Sequence, residues 1–158
     1  MKKKLLVLPM LFSSIVNAGL YIGGNVGTID FGDVEFTTTQ FVIGSQFNEY
    51  VGVELRHGRG IDEESIDGVK VELDSVYGGY LTLSAPLSDS LSAYVIVGKT
   101  WAEATASYGG YSESAKDDTG SVGLGARYSI REALTIRAEY MKYDDDVDGL
   151  SIGVQVNF

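Results

Sequence analysis

The chain has 158 residues, no cysteine, a single histidine and a formal net charge of −10 at neutral pH. Lack of cysteine removes a disulfide framework and thiolate metal sites, and the acidic balance argues against nucleic acid or an anionic membrane surface as the main partner. Twenty glycines, ten tyrosines and two prolines point instead to β structure with close backbone packing.

The amino terminus reads as an export signal. Lys2, Lys3 and Lys4 precede an apolar run over residues 5–16, and Val16-Asn17-Ala18 is a small-residue pattern that suits cleavage before Gly19. The run is about a dozen residues and contains Pro9, whereas a spanning helix needs about 20. Residues 1–18 are therefore expected to be a signal peptide and residues 19–158 the mature domain. Losing the three lysines takes the formal charge from −10 to −13.

From there, alternation bounded by turn residues predicts eight strands, at 20–28, 38–47, 50–59, 69–84, 91–105, 119–130, 134–143 and 149–158. The connections alternate between tight turns, at 48–49, 86–90 and 131–133, and longer acidic segments, at 30–37, 60–68, 106–118 and 144–148. An even strand number with short turns on one side and long loops on the other is the pattern of an antiparallel up-and-down transmembrane β-barrel, with both termini on the periplasmic side. The final strand shows the parity best. Leu150, Ile152, Val154, Val156 and Phe158 share one face, and Ser151, Gly153, Gln155 and Asn157 the other.

The same parity places charge on the inner face. Val51, Val53 and Leu55 oppose Gly52, Glu54 and Arg56, and Leu134, Ile136, Ala138 and Tyr140 oppose Thr135, Arg137, Glu139 and Met141. An isolated charge in a membrane is expensive, so Glu54, Arg56, Glu72, Asp74, Arg127, Arg137 and Glu139 are expected to pair in the lumen. An eight-stranded barrel has an interior that side chains just fill. With Tyr80, Tyr94 and Met141 also available inside, a plugged lumen is expected. Inner glycines at 44, 52, 98, 123, 125 and 153 leave local space, which keeps a minor porin-like channel as the alternative.

Aromatics near strand ends mark the membrane borders: Trp101, Tyr128, Tyr140, Tyr143, Tyr50 and Phe158. Tyr108-Gly109-Gly110-Tyr111 puts two tyrosines on a Gly stretch of a long loop, a candidate contact for a host, phage or carbohydrate surface. Asp144, Asp146 and Asp148 with Gly149 match the opening spacing of a calcium loop, but Gln155 stands where its closing glutamate belongs, so no metal site and no cofactor is assigned. Asp144, Asp146 and Asp148 remain candidates for loop contacts. Enzyme chemistry finds no support, because His57 has no neighbouring serine with which to form a nucleophile and base pair.

Residues 46–54, 86–94, 123–128 and 137–140, with the closing strand, resemble the small eight-stranded outer-membrane barrels related to the OmpA transmembrane domain and to OmpX and Ail. The resemblance covers essentially the whole mature chain. It implies a Gram-negative outer membrane with its lipid and lipopolysaccharide as surroundings, insertion by the barrel-assembly machinery, and a lumen closed by a charged network. It also implies a structural or surface-interaction role. Unlike in full-length OmpA, no peptidoglycan-binding domain is expected after the barrel.

Overall fold

The computed structural model describes residues 19–32, 34–66 and 68–158. The expected signal peptide lies outside the described residues, as do Asp33 and Asp67 of the acidic connections. Nine strands form: β1 Gly19–Asp30, β2 Glu35–Gln46, β3 Val51–Gly60, β4 Glu63–Ile66, β5 Val69–Pro86, β6 Leu91–Tyr108, β7 Tyr111–Arg131, β8 Leu134–Asp144 and β9 Val147–Asn157. Apart from β3 and β4, neighbours in sequence pair antiparallel, β1 pairs with β9, and β3 pairs with β5, so the sheet closes on itself. β3 and the four-residue β4 lie end to end along β5, on its residues 76–83 and 69–72, and count as one interrupted stave. The fold is a closed eight-stranded antiparallel β-barrel.

Burial follows the parity but inverts the usual sense of inside and outside. In β8, Thr135, Arg137, Glu139, Met141 and Tyr143 are buried while Ile136, Ala138 and Tyr140 are exposed. In β9, Leu150, Ile152, Val154 and Val156 face outwards. A soluble sandwich would bury that apolar set and solvate the charges. Here the large apolar side chains form the outer surface and two glutamates with three arginines fill the interior, which is stable only with hydrocarbon outside.

The strands on one side of the barrel run beyond the membrane. A crossing needs about 9–11 residues, whereas β5 and β6 have 18 each and β7 has 21. The expected loop at 106–118 is therefore mostly ladder. β6 and β7 stay in register from Leu91↔Tyr128 up to Tyr108↔Tyr111. Apolar alternation did not show this because both faces of the extension meet water. What holds it is cross-strand polar pairing: Thr105 with Ser114 at 2.8 Å, Ser107 with Ser112 at 2.9 Å, and Lys116 with Glu103 at 3.1 Å. The segment at 144–148 also contracts, to a turn between Asp144 and Val147.

Inside, two layers stack along the axis. An apolar cluster of Ile29, Phe36, Leu73, Val76, Met141 and Tyr143 occupies the half towards the long hairpins. The charged residues lie beneath it, nearer the end that carries Gly19 and Phe158. In barrels of this type the short turns face the periplasm and the long hairpins the exterior.

Candidate functional site: the lumen network and the external hairpins

Glu54 and Arg56 are two residues apart on β3, and Arg137 and Glu139 two apart on β8, so each pair projects to one face and the two pairs meet across the lumen. Arg56 Nε and Nη2 donate to Glu54 Oε2 at 2.9 and 2.5 Å, while its Nη1 and Nη2 donate to Glu139 Oε1 and Oε2 at 2.5 and 2.8 Å. Arg137 bridges the same carboxylates, donating from Nη1 to Glu54 Oε1 at 2.9 Å and from Nη2 to Glu139 Oε2 at 2.8 Å. Arg127 of β7 reaches only Glu54, from Nη2 to Oε1 at 3.1 Å. Hydroxyl donors complete the carboxylates: Tyr21 to Glu54 Oε1 at 2.6 Å, and Tyr94 to Glu139 Oε2 at 2.7 Å. The guanidinium carbon of Arg127 sits 4.1 Å from the Tyr94 ring centre, an added cation–π contact. All five charged side chains are buried.

The inner glycines are seats for aromatic rings. A Cβ at Gly44 would stand 2.2 Å from Tyr21 Cζ, one at Gly125 2.5 Å from Tyr94 Cζ, and one at Gly98 2.7 Å from Tyr80 Cδ1. Met141 Sδ likewise fills the space beside Gly123. The room that the sequence appeared to leave for solute is occupied at these positions by neighbouring side chains. Tyr21 was missed from sequence because it is a lone aromatic between Leu20 and Ile22, although its parity marks it as inward.

Two of the seven charges expected in the lumen are elsewhere. Glu72 and Asp74 are exposed. A β-bulge between Leu73 and Ser75 adds one residue to β5, which reverses the parity above it and turns Leu73 inwards. Asp74 instead accepts a hydrogen bond from Thr105 at 2.6 Å on the extension. Tyr143 also departs from expectation. It is an inner residue of β8, packed beside Gly149 under the external rim rather than at the membrane border.

At the tip of the β6–β7 hairpin the turn is Gly109-Gly110, with φ of +58° and +89°. Positive φ at both central residues defines a tight turn that glycine accommodates without strain, so the Gly stretch is a rigid two-residue reversal. It carries Tyr108 and Tyr111 as facing cross-strand partners, the latter 85% exposed. Asp144 accepts the Asp145 amide at 2.8 Å, Asp146 is in the adjoining turn, and Asp148 pairs in register with Lys142. Among the described residues no group of three or more acidic or histidine side chains converges as a metal site. On the β4–β5 hairpin, Lys70 bonds Glu63 at 2.9 Å, and that carboxylate raises the ammonium above its ordinary pKa.

The fold has counterparts among known proteins. The sequence matches the family described as the outer membrane protein beta-barrel domain over residues 11–158. The chain belongs to that family. Among solved structures, the fold is similar to Ail of Yersinia pestis (TM-score 0.64, 21% identity, covering 89% of this chain and 97% of that one). It is similar to the N-terminal β-barrel domain of Pseudomonas aeruginosa OprF (0.68, 16%, 90% and 100%) and to Neisserial surface protein A (0.66, 15%, 89% and 97%). No curated protein matches the sequence. Family membership places the protein in the outer membrane of a Gram-negative cell.

In this outer-membrane barrel, Trp101, Tyr128, Tyr140, Tyr50 and Phe158 are on the outer surface, the position that amphipathic rings take at headgroup level. Lys99 lies 5.6 Å from the Trp101 ring centre and pairs with Asp118, drawing charge to that level. His57 points outwards too, stacked on Tyr77 at 4.6 Å between ring centres.

Proposed function

We propose that this outer-membrane barrel works by surface contact through its external hairpins, with its lumen closed by the charged network, and that it performs no enzymatic reaction. The observation that carries the reading is the β6–β7 hairpin, a rigid ladder that lifts Tyr108 and Tyr111 well clear of the membrane. Two exposed aromatics on a rigid support give contact area at small entropic cost. Closure is supported by three arginines and two glutamates joined across the lumen, with tyrosine rings seated on the facing glycines. The reading without enzyme chemistry is supported by His57, which faces outwards and stacks on Tyr77 rather than meeting a serine.

The candidate partners are a host, phage or carbohydrate surface, with outer-membrane lipid and lipopolysaccharide around the barrel and the barrel-assembly machinery during insertion. Ail has been solved with a heparin analogue, sucrose octasulfate. A sulfated polyanion suits this chain poorly, because its external hairpins carry Glu63, Glu64, Glu113, Asp117, Asp118, Asp144, Asp145 and Asp146 against few lysines. A neutral or basic surface is favoured.

The test displays the wild-type protein and a Tyr108→Ser/Tyr111→Ser variant on cells and measures adhesion to host cells, phage adsorption and binding to a panel of neutral and basic glycans. Loss of binding by the variant, with an unchanged heat-modifiable gel band, supports the hairpin role. Steady single-channel openings of the purified barrel in a planar bilayer would shift the assignment to the alternative, a small-solute channel.

A further inference from the structure

The buried charges do not balance. Among the described residues, the lumen encloses the guanidiniums of Arg56, Arg127 and Arg137 and the carboxylates of Glu54 and Glu139. Three positive groups against two negative leave one excess positive charge among these buried side chains, where an uncompensated ion is costly.

The hydrogen bonds show where the excess lies. Arg56 and Arg137 each contact both carboxylates. Glu54 already accepts from Tyr21, Arg56, Arg127 and Arg137, and its remaining capacity is small. Arg127 has one carboxylate contact, one long bond from Nη1 to the Ser84 hydroxyl at 3.2 Å, and a buried Nε with no partner. Of the three buried arginines it has the fewest carboxylate contacts; Arg137 also carries an unpartnered Nε but reaches both carboxylates, and Arg127 gains the Tyr94 ring face besides Glu54.

Arg127 forms part of the wall of a cavity of about 290 Å³ at the end of the barrel that carries Gly19 and Asn157. Ser84, Ser129 and Thr135 also line it, each with a hydroxyl that can turn to donate to an anion. Gln155 and Asn157 line it too, their amide NH2 groups donating to Asn157 and to Thr135 and Glu132, with the buried Gln155 Oε1 left without a partner. Thr135 and Gln155 are buried. Glu49 is on the wall as well; it is exposed, so solvent and salt reduce its repulsion of an anion without removing it. An arginine with a single carboxylate contact, facing a polar cavity lined by three serine and threonine hydroxyls and open to the periplasmic side, can take an anion.

We infer that this cavity binds a carboxylate, whose single negative charge completes the lumen network through Arg127. The cavity is larger than chloride needs, and Arg127 Nη1, which holds only the Ser84 hydroxyl at 3.2 Å, can pass to one carboxylate oxygen while a wall hydroxyl takes the other. The carboxylate is either a small free acid or the C-terminus of a periplasmic peptide segment. This site is independent of the external hairpins and of the surface role proposed for them.

The test uses the mature protein refolded in zwitterionic detergent, with thermal unfolding followed at constant ionic strength. The probes are acetate, N-acetyl-dialanine with a free carboxylate, and the same peptide as its C-terminal amide. Both carboxylates are expected to raise the Tm saturably, by about 5–10 °C at a hundred times Kd, and the amide to leave it unchanged. Acetate and peptide binding equally identifies a free acid as the source; peptide binding at least tenfold tighter identifies a chain end.

Arg127→Met is expected to abolish the response, Thr135→Val to weaken it with the arginine retained, and Glu49→Gln to strengthen it by removing a like charge. Should Arg127→Met fail to fold, the opposite shifts of the other two variants decide. No saturable response to either carboxylate, an equal response to the amide, or a full response in Arg127→Met would overturn the assignment.

Discussion

Arg56 and Glu139 are 83 residues apart in the chain, yet they form a two-pronged ion pair across the barrel, at 2.5 and 2.8 Å. The pair joins β3 to β8, staves that share no ladder, so it ties together opposite walls that backbone hydrogen bonding leaves unconnected.

Breaking that tie should be expensive. In Glu139→Gln, Arg56 and Arg137 each lose a charged acceptor, and removing one partner from a buried ion pair typically costs about 3–5 kcal/mol. Urea unfolding in lipid vesicles, followed by tryptophan emission and by the heat-modifiable gel shift, should show an unfolding free energy lowered by that amount. A change under about 1 kcal/mol would mean that water penetrates the network.

Glycine seats predict a graded series. Gly98→Ala places a methyl 2.1 Å from the Gly79 carbonyl oxygen and 2.7 Å from Tyr80, an overpacking worth about 1–3 kcal/mol. Gly120→Ala meets nothing within 4 Å and should leave the unfolding midpoint unchanged.

Position along β7 should decide the cost of a charge. Leu124→Arg puts a guanidinium on the lipid face, where about 2–4 kcal/mol is lost near the midplane. Ala115→Arg, nine residues earlier on the same strand and beyond the membrane, should leave stability within about 0.5 kcal/mol. Equal losses from vesicle-based unfolding at the two sites would show that the extension is embedded too.

Conductance offers a direct measure of closure. The wild-type barrel should be silent in a planar bilayer, while Tyr94→Ala with Glu139→Ala, which removes a ring and a carboxylate at one level, should produce discrete openings. Steady wild-type openings would refute the filled lumen.

The hairpin tip should be stiff because of its glycines. Replacing both Gly109 and Gly110 with alanine forces two residues into positive φ, at about 1–2 kcal/mol each. Amide exchange should then quicken around Tyr108 and Tyr111 while β8 and β9 stay protected.

The eight-stave barrel was legible in the sequence because a membrane barrel must alternate: each crossing strand presents one face to hydrocarbon and the other to the lumen, and both demands are written at period two. That period assigned inward residues as far apart as Glu54 and Glu139, which are buried, and outward ones from Val53 to Phe158, which are exposed. It failed at Asp74, because one extra residue in a ladder reverses parity without leaving a compositional mark. Above the membrane, where Tyr111–Thr119 meets water on both faces, no solvent contrast imposes a pattern, and a paired strand reads like a loop.

By itself, then, the sequence determined which solvent each face of each crossing strand would meet, since that depends only on side-chain chemistry and neighbours two residues away. Tertiary structure alone decided what those inward residues do: which arginine reaches which carboxylate, which tyrosine rests on which glycine, and that Arg127 keeps a single carboxylate contact. Such facts depend on strand register, bulges and barrel closure, which bring together residues dozens of positions apart and have no local signature in the chain.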